Sequence, residues 1–152
     1  MNEHRRKPKT VLLVEDNPKD ELLTLRVLKK SGLANKIVVT RDGAEALDYL
    51  FAKGAFAERD ATHLPSVVLL DLKLPKIDGL DVLREIRNNE LTKRLPVVVL
   101  TSSDEAKDIV TSYDLNANSF VRKPVEFASF SEAITNLGMY WLAVNEVPPE
   151  EF

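Results

Sequence analysis

Polar residues suited to binding a cation or a phosphoryl group follow short apolar runs at four places along the chain. They are Glu15 and Asp16 after residues 11–14, Asp71 after 67–70, Thr101 after 97–100, and Lys123 after 119–122. Clustered carboxylates repel one another unless a cation lies between them, and their hard oxygens suit Mg²⁺. A lysine and a hydroxyl donor supply what an anionic phosphoryl group requires. If the fold brings these side chains together, they favour phosphoryl chemistry assisted by a divalent cation.

Five short strands are predicted from runs of aliphatic and β-branched residues. Three runs, at 11–14, 67–70 and 97–100, lack polar alternation, which is typical of strands buried on both faces. Weaker runs at 36–40 and 119–122 have the same extended character.

Helical patterns separate these strands. They are predicted between the cap Asn17 and Gly32, and at 43–52, 80–88, 105–115 and 127–142. In the first of them Leu22, Leu25 and Leu28 form an apolar stripe that is expected to cover the sheet. Because parallel strands need crossover connections, the alternation predicts an α/β fold with a doubly wound, five-stranded parallel sheet and five helices. Ligands of such sheets bind at the carboxyl ends of the strands, where the polar residues occur.

Each of these polar residues also has a plain structural explanation. An acid after a strand, such as Asp16, is what a helix cap requires, and Lys123 alone would be an ordinary surface charge. For any single residue we favour that explanation. Chance is a poor explanation for the whole set, in which four strand ends carry an acid pair, a third acid, a hydroxyl and a lysine. We therefore interpret the set as a site.

The composition limits the class of protein. The 152 residues include 21 Lys and Arg against 24 Asp and Glu, a formal net charge of −3, and 44% are hydrophobic, as in one globular domain. The absence of Cys excludes disulfides, thiolate metal sites and cysteine nucleophiles. The acidic balance argues against nucleic acid as a partner. No apolar run approaches the ~18 residues of a membrane span, so we expect no membrane partner and a cytoplasmic location.

The chain is expected to divide into three segments. Residues 1–9 are basic and are predicted to form a mobile arm. Residues 10–142 hold all the predicted strands and helices, and residues 143–152 form a tail too short for a second activity.

Four motifs in the expected order resemble the receiver domain of bacterial two-component response regulators. They are VLLVEDN at 11–17, LLDLKLPKIDGL at 69–80, VVVLTSSD at 97–104 and FVRKP at 120–124. The resemblance implies a flavodoxin-like sheet with the strand order 2-1-3-4-5.

The resemblance also implies a role for each site residue. Asp71 would accept a phosphoryl group from a histidine kinase or a phosphotransfer protein. Glu15, Asp16, Asp71 and the backbone carbonyl of Lys73 would hold Mg²⁺, for which Mn²⁺ could substitute. Lys123 would contact the acyl phosphate, and the chain would be no enzyme beyond catalysing its own phosphorylation and hydrolysis.

A switch is implied by the same resemblance. The Thr101 hydroxyl would move toward the phosphoryl group, and the Phe120 ring would fill the space that it leaves. The face made by the fourth and fifth helices and the fifth strand would then change shape. The family also implies a cis bond before Pro124.

Two further runs, 28–50 and 137–142, resemble the stand-alone regulators that partner phytochromes, so a phytochrome-type kinase is a candidate partner. In the fifth helix an apolar stripe is expected to be mainly core: Phe127, Phe130, Ile134, Leu137 and Trp141. We also predict a homodimer through the fourth and fifth helices. Its expected contact residues are Ile109, Val110, Tyr113, Tyr140 and Trp141.

Three alternatives remain at this point. A degenerate receiver would act only as a constitutive protein-binding module. An Mg²⁺-dependent phosphatase working through an aspartyl phosphate would carry an Asp where this chain has Lys73. A flavin carrier would need a Ser-, Thr- or Gly-rich phosphate loop after the first strand, where EDNPKD at 15–20 is acidic.

Overall fold

Five strands form one parallel sheet in the computed structural model, which describes residues 9–149. Their bounds are β1 Thr10–Val14, β2 Lys36–Thr40, β3 Val67–Leu70, β4 Val97–Thr101 and β5 Ser119–Arg122. The strand order is β2-β1-β3-β4-β5, and every neighbouring pair is parallel. The predicted fold class and strand order are therefore confirmed.

Helices connect the strands, close to the predicted bounds. They are α1 Pro18–Ser31, α2 Gly43–Phe51, α3 Gly79–Arg87, α4 Ala106–Asp114 and α5 Phe127–Gly138. A 3₁₀ turn, Gly54–Phe56, follows α2, and a π-helical segment, Met139–Val144, continues α5. Helix α1 begins where the Asn17 side chain accepts hydrogen bonds from two backbone N–H groups, and it ends at Gly32, which adopts the left-handed conformation.

Each face of the sheet carries its own hydrophobic core, because successive strand residues point to opposite faces. Leu12, Val68 and Val99 pack on the side of α2 and α3. Leu13 and Leu69 pack on the side of α1 and α5. Helix α4 lies beside α3 and β5. Both faces of the central strands are thus excluded from water, as their uninterrupted apolar runs predicted.

The two predicted apolar stripes face the core except at the first residue of each. In α1, Leu23 and Leu28 are buried, whereas Leu22 is 59% exposed. Leu25 and Leu28 pack on the core as predicted, so only the first position of the stripe differs, with Leu23 buried in place of Leu22. In α5, Phe130 and Ile134 are buried, but Phe127, the first residue of the helix, is exposed.

The loop after β3 is held by two close backbone approaches. A Cβ atom at Gly79 would lie 2.2 Å from the backbone oxygen of Asp71, and one at Gly43 would lie 1.9 Å from that of Ile77. The N–H of Gly79 also donates to the carbonyl oxygen of Leu72 at 2.9 Å. The first turns of α2 and α3 therefore clamp the segment that carries Asp71.

We expect Gly79→Ala to lower the free energy of unfolding by about 2 kcal/mol or more, because the backbone must move to admit the Cβ atom. Gly32→Ala is the comparison, since nothing lies within 4 Å of its Cβ position and only the left-handed φ of +69° is strained. That change should cost about 1 kcal/mol. Urea unfolding of both variants measures the difference, and a smaller loss for Gly79→Ala would contradict the clamp.

Candidate functional site

The carboxyl ends of four strands bring the predicted polar residues to one place. Glu15 and Asp16 follow β1, and Asp71 follows β3. One carboxylate oxygen from each of these three acids lies within 4.8 Å of the others. Thr101 ends β4, and Lys123 follows β5 with its N–H donating to the Thr101 carbonyl oxygen at 2.7 Å.

The ammonium group of Lys123 is the centre of this cluster. Its Nζ donates to Glu15 Oε1 at 2.6 Å, to Asp71 Oδ2 at 2.9 Å and to Asp20 Oδ2 at 2.9 Å. A lysine ammonium has three N–H donors, so all of them are used. The side chains of Lys123, Glu15 and Asp71 are only 6%, 2% and 7% exposed, whereas that of Asp20 is 23% exposed.

Burial and pairing shift the pKa values in different directions. Burial raises the pKa of Glu15 to about 7, although Lys123 opposes the shift. Burial alone would also raise the pKa of Asp71, but the Lys123 ammonium, the Thr101 hydroxyl and a backbone N–H lower it below its ordinary value. For Lys123, burial is outweighed by its carboxylate partners, which raise its pKa. Asp71 and Lys123 are therefore both charged at neutral pH.

The donor set fits a divalent cation. Three carboxylates converge with oxygen ligands only, which is the chemistry that Mg²⁺ and Mn²⁺ accept. Asp16 is exposed, so the cluster is open to solvent on one side. The backbone N–H of Lys73 donates to Asp71 Oδ1 at 3.2 Å, which places Lys73 at the edge of the same cluster.

The two predicted switch residues lie on neighbouring strands. Thr101 is fully buried, and its Oγ1 accepts a hydrogen bond from the N–H of Ser103 at 3.3 Å. Phe120 is half-buried against the core on the α2 and α3 side. There is no cis peptide bond between residues 9 and 149, so the prediction of a cis bond before Pro124 was wrong.

Asp20 was missed as a site residue. It lies in the first turn of α1, where an acid is fully explained by the positive end of the helix dipole. The available signal was its place in the first turn of the helix that directly follows Glu15 and Asp16. Side chains in a helix lean toward its N-terminus, and here that end faces the site.

The surface predicted to mediate dimerisation is apolar in part. Val110, Tyr113 and Tyr140 are exposed, and Ile109 is half-buried. Trp141 is only 9% exposed and lies in the core beside α1 and α5, so it offers little surface to a partner.

Residues 11–135 match the family described as the response regulator receiver domain. The chain belongs to that family. The resemblance found in the four motifs is thereby confirmed, and the site described above lies at the edge of a receiver domain.

Known response regulators match over nearly the whole chain. Response regulator Rcp1 of Synechocystis is 36% identical over 148 residues, which cover 97% of this chain and 99% of Rcp1. The Mn²⁺-bound form of Rcp1 has a TM-score of 0.88 at 37% identity, covering 93% of this chain and all of that one.

Two structures of phytochrome response regulators are also similar. The phosphorylated cyanobacterial phytochrome response regulator RcpA has a TM-score of 0.88 at 37% identity, covering 94% of this chain and 100% of that one. The bacteriophytochrome response regulator AtBRR is 52% identical with a TM-score of 0.72, covering 93% and 100%. This chain is thus a response regulator similar to those of phytochromes.

None of the helices in the described part of the chain has the length and hydropathy needed to cross a membrane.

We expect Lys123→Met to lower the free energy of unfolding by about 3 kcal/mol in the absence of divalent cations, since it leaves two buried carboxylates without their counter-charge. Added Mg²⁺ should recover part of the loss, because it neutralises the same acids. Urea unfolding with and without MgCl₂ measures both effects.

The matched control is Lys107→Met, which removes an exposed ammonium 3.4 Å from Glu105. Its cost should stay below about 1 kcal/mol and should not respond to Mg²⁺. Equal losses in the two variants would show that the buried cluster does not depend on Lys123.

Proposed function

We propose that Asp71 accepts a phosphoryl group from a histidine kinase or a histidine phosphotransfer protein. A carboxylate oxygen of Asp71 forms a bond to phosphorus while the bond from phosphorus to the donor nitrogen breaks. The nitrogen keeps the electron pair, and an acyl phosphate is formed. The observation that carries this proposal is the buried Lys123 ammonium 2.9 Å from Asp71, because it keeps the carboxylate ionised and offers charge to the phosphoryl oxygens.

Mg²⁺ is the proposed cofactor, with Mn²⁺ as a substitute. Glu15, Asp16 and Asp71 would hold the ion together with the backbone carbonyl of Lys73. The ion would offset the negative charge of the transferring phosphoryl group. The convergence of three carboxylates and the Mn²⁺-bound form of Rcp1 support this assignment.

Phosphorylation would be transmitted through Thr101 and Phe120. The Thr101 hydroxyl is close enough to lower the pKa of Asp71, so it can donate to a phosphoryl oxygen there. Phe120 is partly buried, and its ring has both core and surface contacts to exchange. The output is then a change in the α4, β5 and α5 face rather than a second catalytic reaction.

The proposed pathway is a phytochrome-type light-sensing system in the cytoplasm. The similarity to the phytochrome response regulators RcpA and AtBRR supports a sensor kinase of that kind as the partner. Within this proposal residues 10–142 form the receiver domain and 143–152 a tail. The basic arm at 1–9 lies almost entirely outside the described residues.

A constitutive binding module is the second candidate function. It would need a defective site, whereas the acids, the hydroxyl and the lysine all converge here. Hydrolysis of phosphomonoesters is disfavoured because Lys73, an exposed lysine, stands where such enzymes carry an aspartate.

We expect the chain to gain the mass of one phosphoryl group after incubation with acetyl phosphate and Mg²⁺. Asp71→Asn should gain none, because an amide oxygen is a poor nucleophile at that position, and wild type with EDTA should gain little. Intact-mass spectrometry measures all three samples. If Asp71→Asn also gains the phosphoryl mass, the acceptor is a different residue. If wild type gains none, even from a histidine phosphotransfer donor, the binding module is favoured.

A homodimer is proposed through the face formed by α4 and α5, with β5, one of the two edge strands of the sheet, between them. Val110 and Tyr113 on α4 and Tyr140 beyond α5 are exposed on its two sides. A groove along β5 is lined by Val121, Leu137 and other apolar residues. An edge strand flanked by exposed apolar side chains is a common place for a partner chain.

We expect the wild-type chain to sediment as a dimer at micromolar concentration and Val110→Glu to sediment as a monomer, because a charge would be buried in the contact. Leu22→Glu, an equal change at an exposed leucine on α1, should leave the dimer intact. Sedimentation velocity with and without phosphorylation is the measurement. A monomer under both conditions would contradict the proposal.

A further inference from the structure

Asp20 is the one partner of Lys123 that the phosphoryl-transfer scheme does not use. Its Oδ2 accepts a hydrogen bond from Lys123 Nζ at 2.9 Å, the same length as the bond to Asp71. Its neighbour Glu21 has a different role, because it pairs with Arg41 on the outside of the fold at 2.8 Å. Two adjacent acids in one helical turn therefore have separate environments.

All three N–H groups of Lys123 are occupied in this structure. A phosphoryl oxygen on Asp71 can receive a hydrogen bond from this ammonium only if one of the three carboxylates gives up its own. Phosphorylation also replaces a single negative charge at Asp71 with about −1.5 to −2. The cluster then holds more negative charge than one ammonium can pair.

The three carboxylates differ in what their release would cost. Glu15 is nearly enclosed, so without Lys123 its carboxylate would depend on the bound cation alone for counter-charge, and the N–H that Asp71 receives passes to the phosphoryl group it then carries. Asp20 is 23% exposed, so its carboxylate can be hydrated when it loses Lys123. Asp20 is therefore the partner that can give up a second N–H to the phosphoryl group at the least cost.

We propose that Asp20 is a positioning residue that holds the Lys123 ammonium in the unphosphorylated chain and gives it up to the phosphoryl group. Asp20 acts through Lys123 and does not touch the phosphoryl group itself. It fixes the lysine among the acids before transfer, and it competes with the incoming group for one N–H. This inference rests on the proposed phosphorylation of Asp71.

The competition predicts that removing the Asp20 charge speeds phosphorylation. Asp20→Asn should raise the rate with acetyl phosphate and Mg²⁺ about two- to fivefold, the range expected for a partly exposed ion pair. Asp20→Glu, which keeps a carboxylate within reach of Lys123, should return the rate toward that of wild type. Rates are taken from intact-mass time courses.

Glu21→Gln is the matched control. It removes one negative charge from the same helical turn and leaves the contacts of Lys123 unchanged. Any faster rate that comes only from weaker general repulsion of the anionic donor, or from a change at the helix dipole, should therefore appear in this variant as well. At about 1 M salt the Debye length falls to roughly 3 Å and this general effect is screened. Under those conditions Asp20→Asn should remain faster than wild type while Glu21→Gln equals it.

A beryllofluoride complex tests the geometry without relying on a rate or a variant. In a crystal structure of the wild-type chain with Mg²⁺ and beryllofluoride, we expect Lys123 Nζ to contact a fluorine and to lie more than about 3.5 Å from Asp20 Oδ2. Retention of the Asp20 contact would overturn the proposal.

The outcomes separate this inference from the phosphorylation on which it rests. If wild type gains a phosphoryl group and Asp20→Asn is no faster at high salt, with the same urea midpoint as Glu21→Gln, the role of Asp20 is overturned and phosphorylation stands. If wild type gains no phosphoryl group from acetyl phosphate or from a histidine donor, the proposed function fails and this inference fails with it. A faster Asp20→Asn with a slow Asp20→Glu supports the proposal.

Discussion

The buried ammonium of Lys123 is the constraint that orders the rest of this receiver domain. An unpaired lysine in such a place would lose its charge, so its carboxylate partners have to be present. Two of them, Glu15 and Asp71, come from β1 and β3, whereas Lys123 follows β5, with β4 lying between. The ion pairs therefore form only when strand order and register are both correct.

The protein tolerates repulsion among these acids because the surrounding backbone is fixed. Gly79 and Gly43 let two helices press against the loop that carries Asp71, and a larger residue at either position would collide with backbone oxygens. The core on both faces of the sheet leaves the strand ends little freedom to separate. Stability supplied by the core thus supports a site in which the acids repel one another until a cation offsets part of their charge.

The sequence predicted the sheet, which follows from long apolar runs, and the main site residues, which follow the strand ends. Uninterrupted apolar strands identify a buried parallel sheet, and the sheet then places Asp71 and Lys123 at one edge. It did not predict which of the adjacent leucines at 22 and 23 faces the core, since either one fits a helical stripe. Asp20 was missed because a helix dipole explains an acid in that turn equally well. Such details depend on how helices dock, which no local pattern specifies.

The two ends of α4 have different contacts, and these contacts limit how a change at the site could move the exposed face of the helix. Ser103, two residues after Thr101, donates to Asp108 at 2.5 Å and joins the site loop to the start of the helix. Beyond its other end, Arg87 donates to the Asn116 carbonyl at 2.8 Å and to Asn118 at 3.1 Å, so the turn before β5 is anchored to α3. In the proposed switch, a displacement that begins at Thr101 would therefore be directed into the first turn of α4, while the turn into β5 would stay in place. Helix α4 would pivot rather than slide, and the exposed Val110 in its middle would move with the first turn.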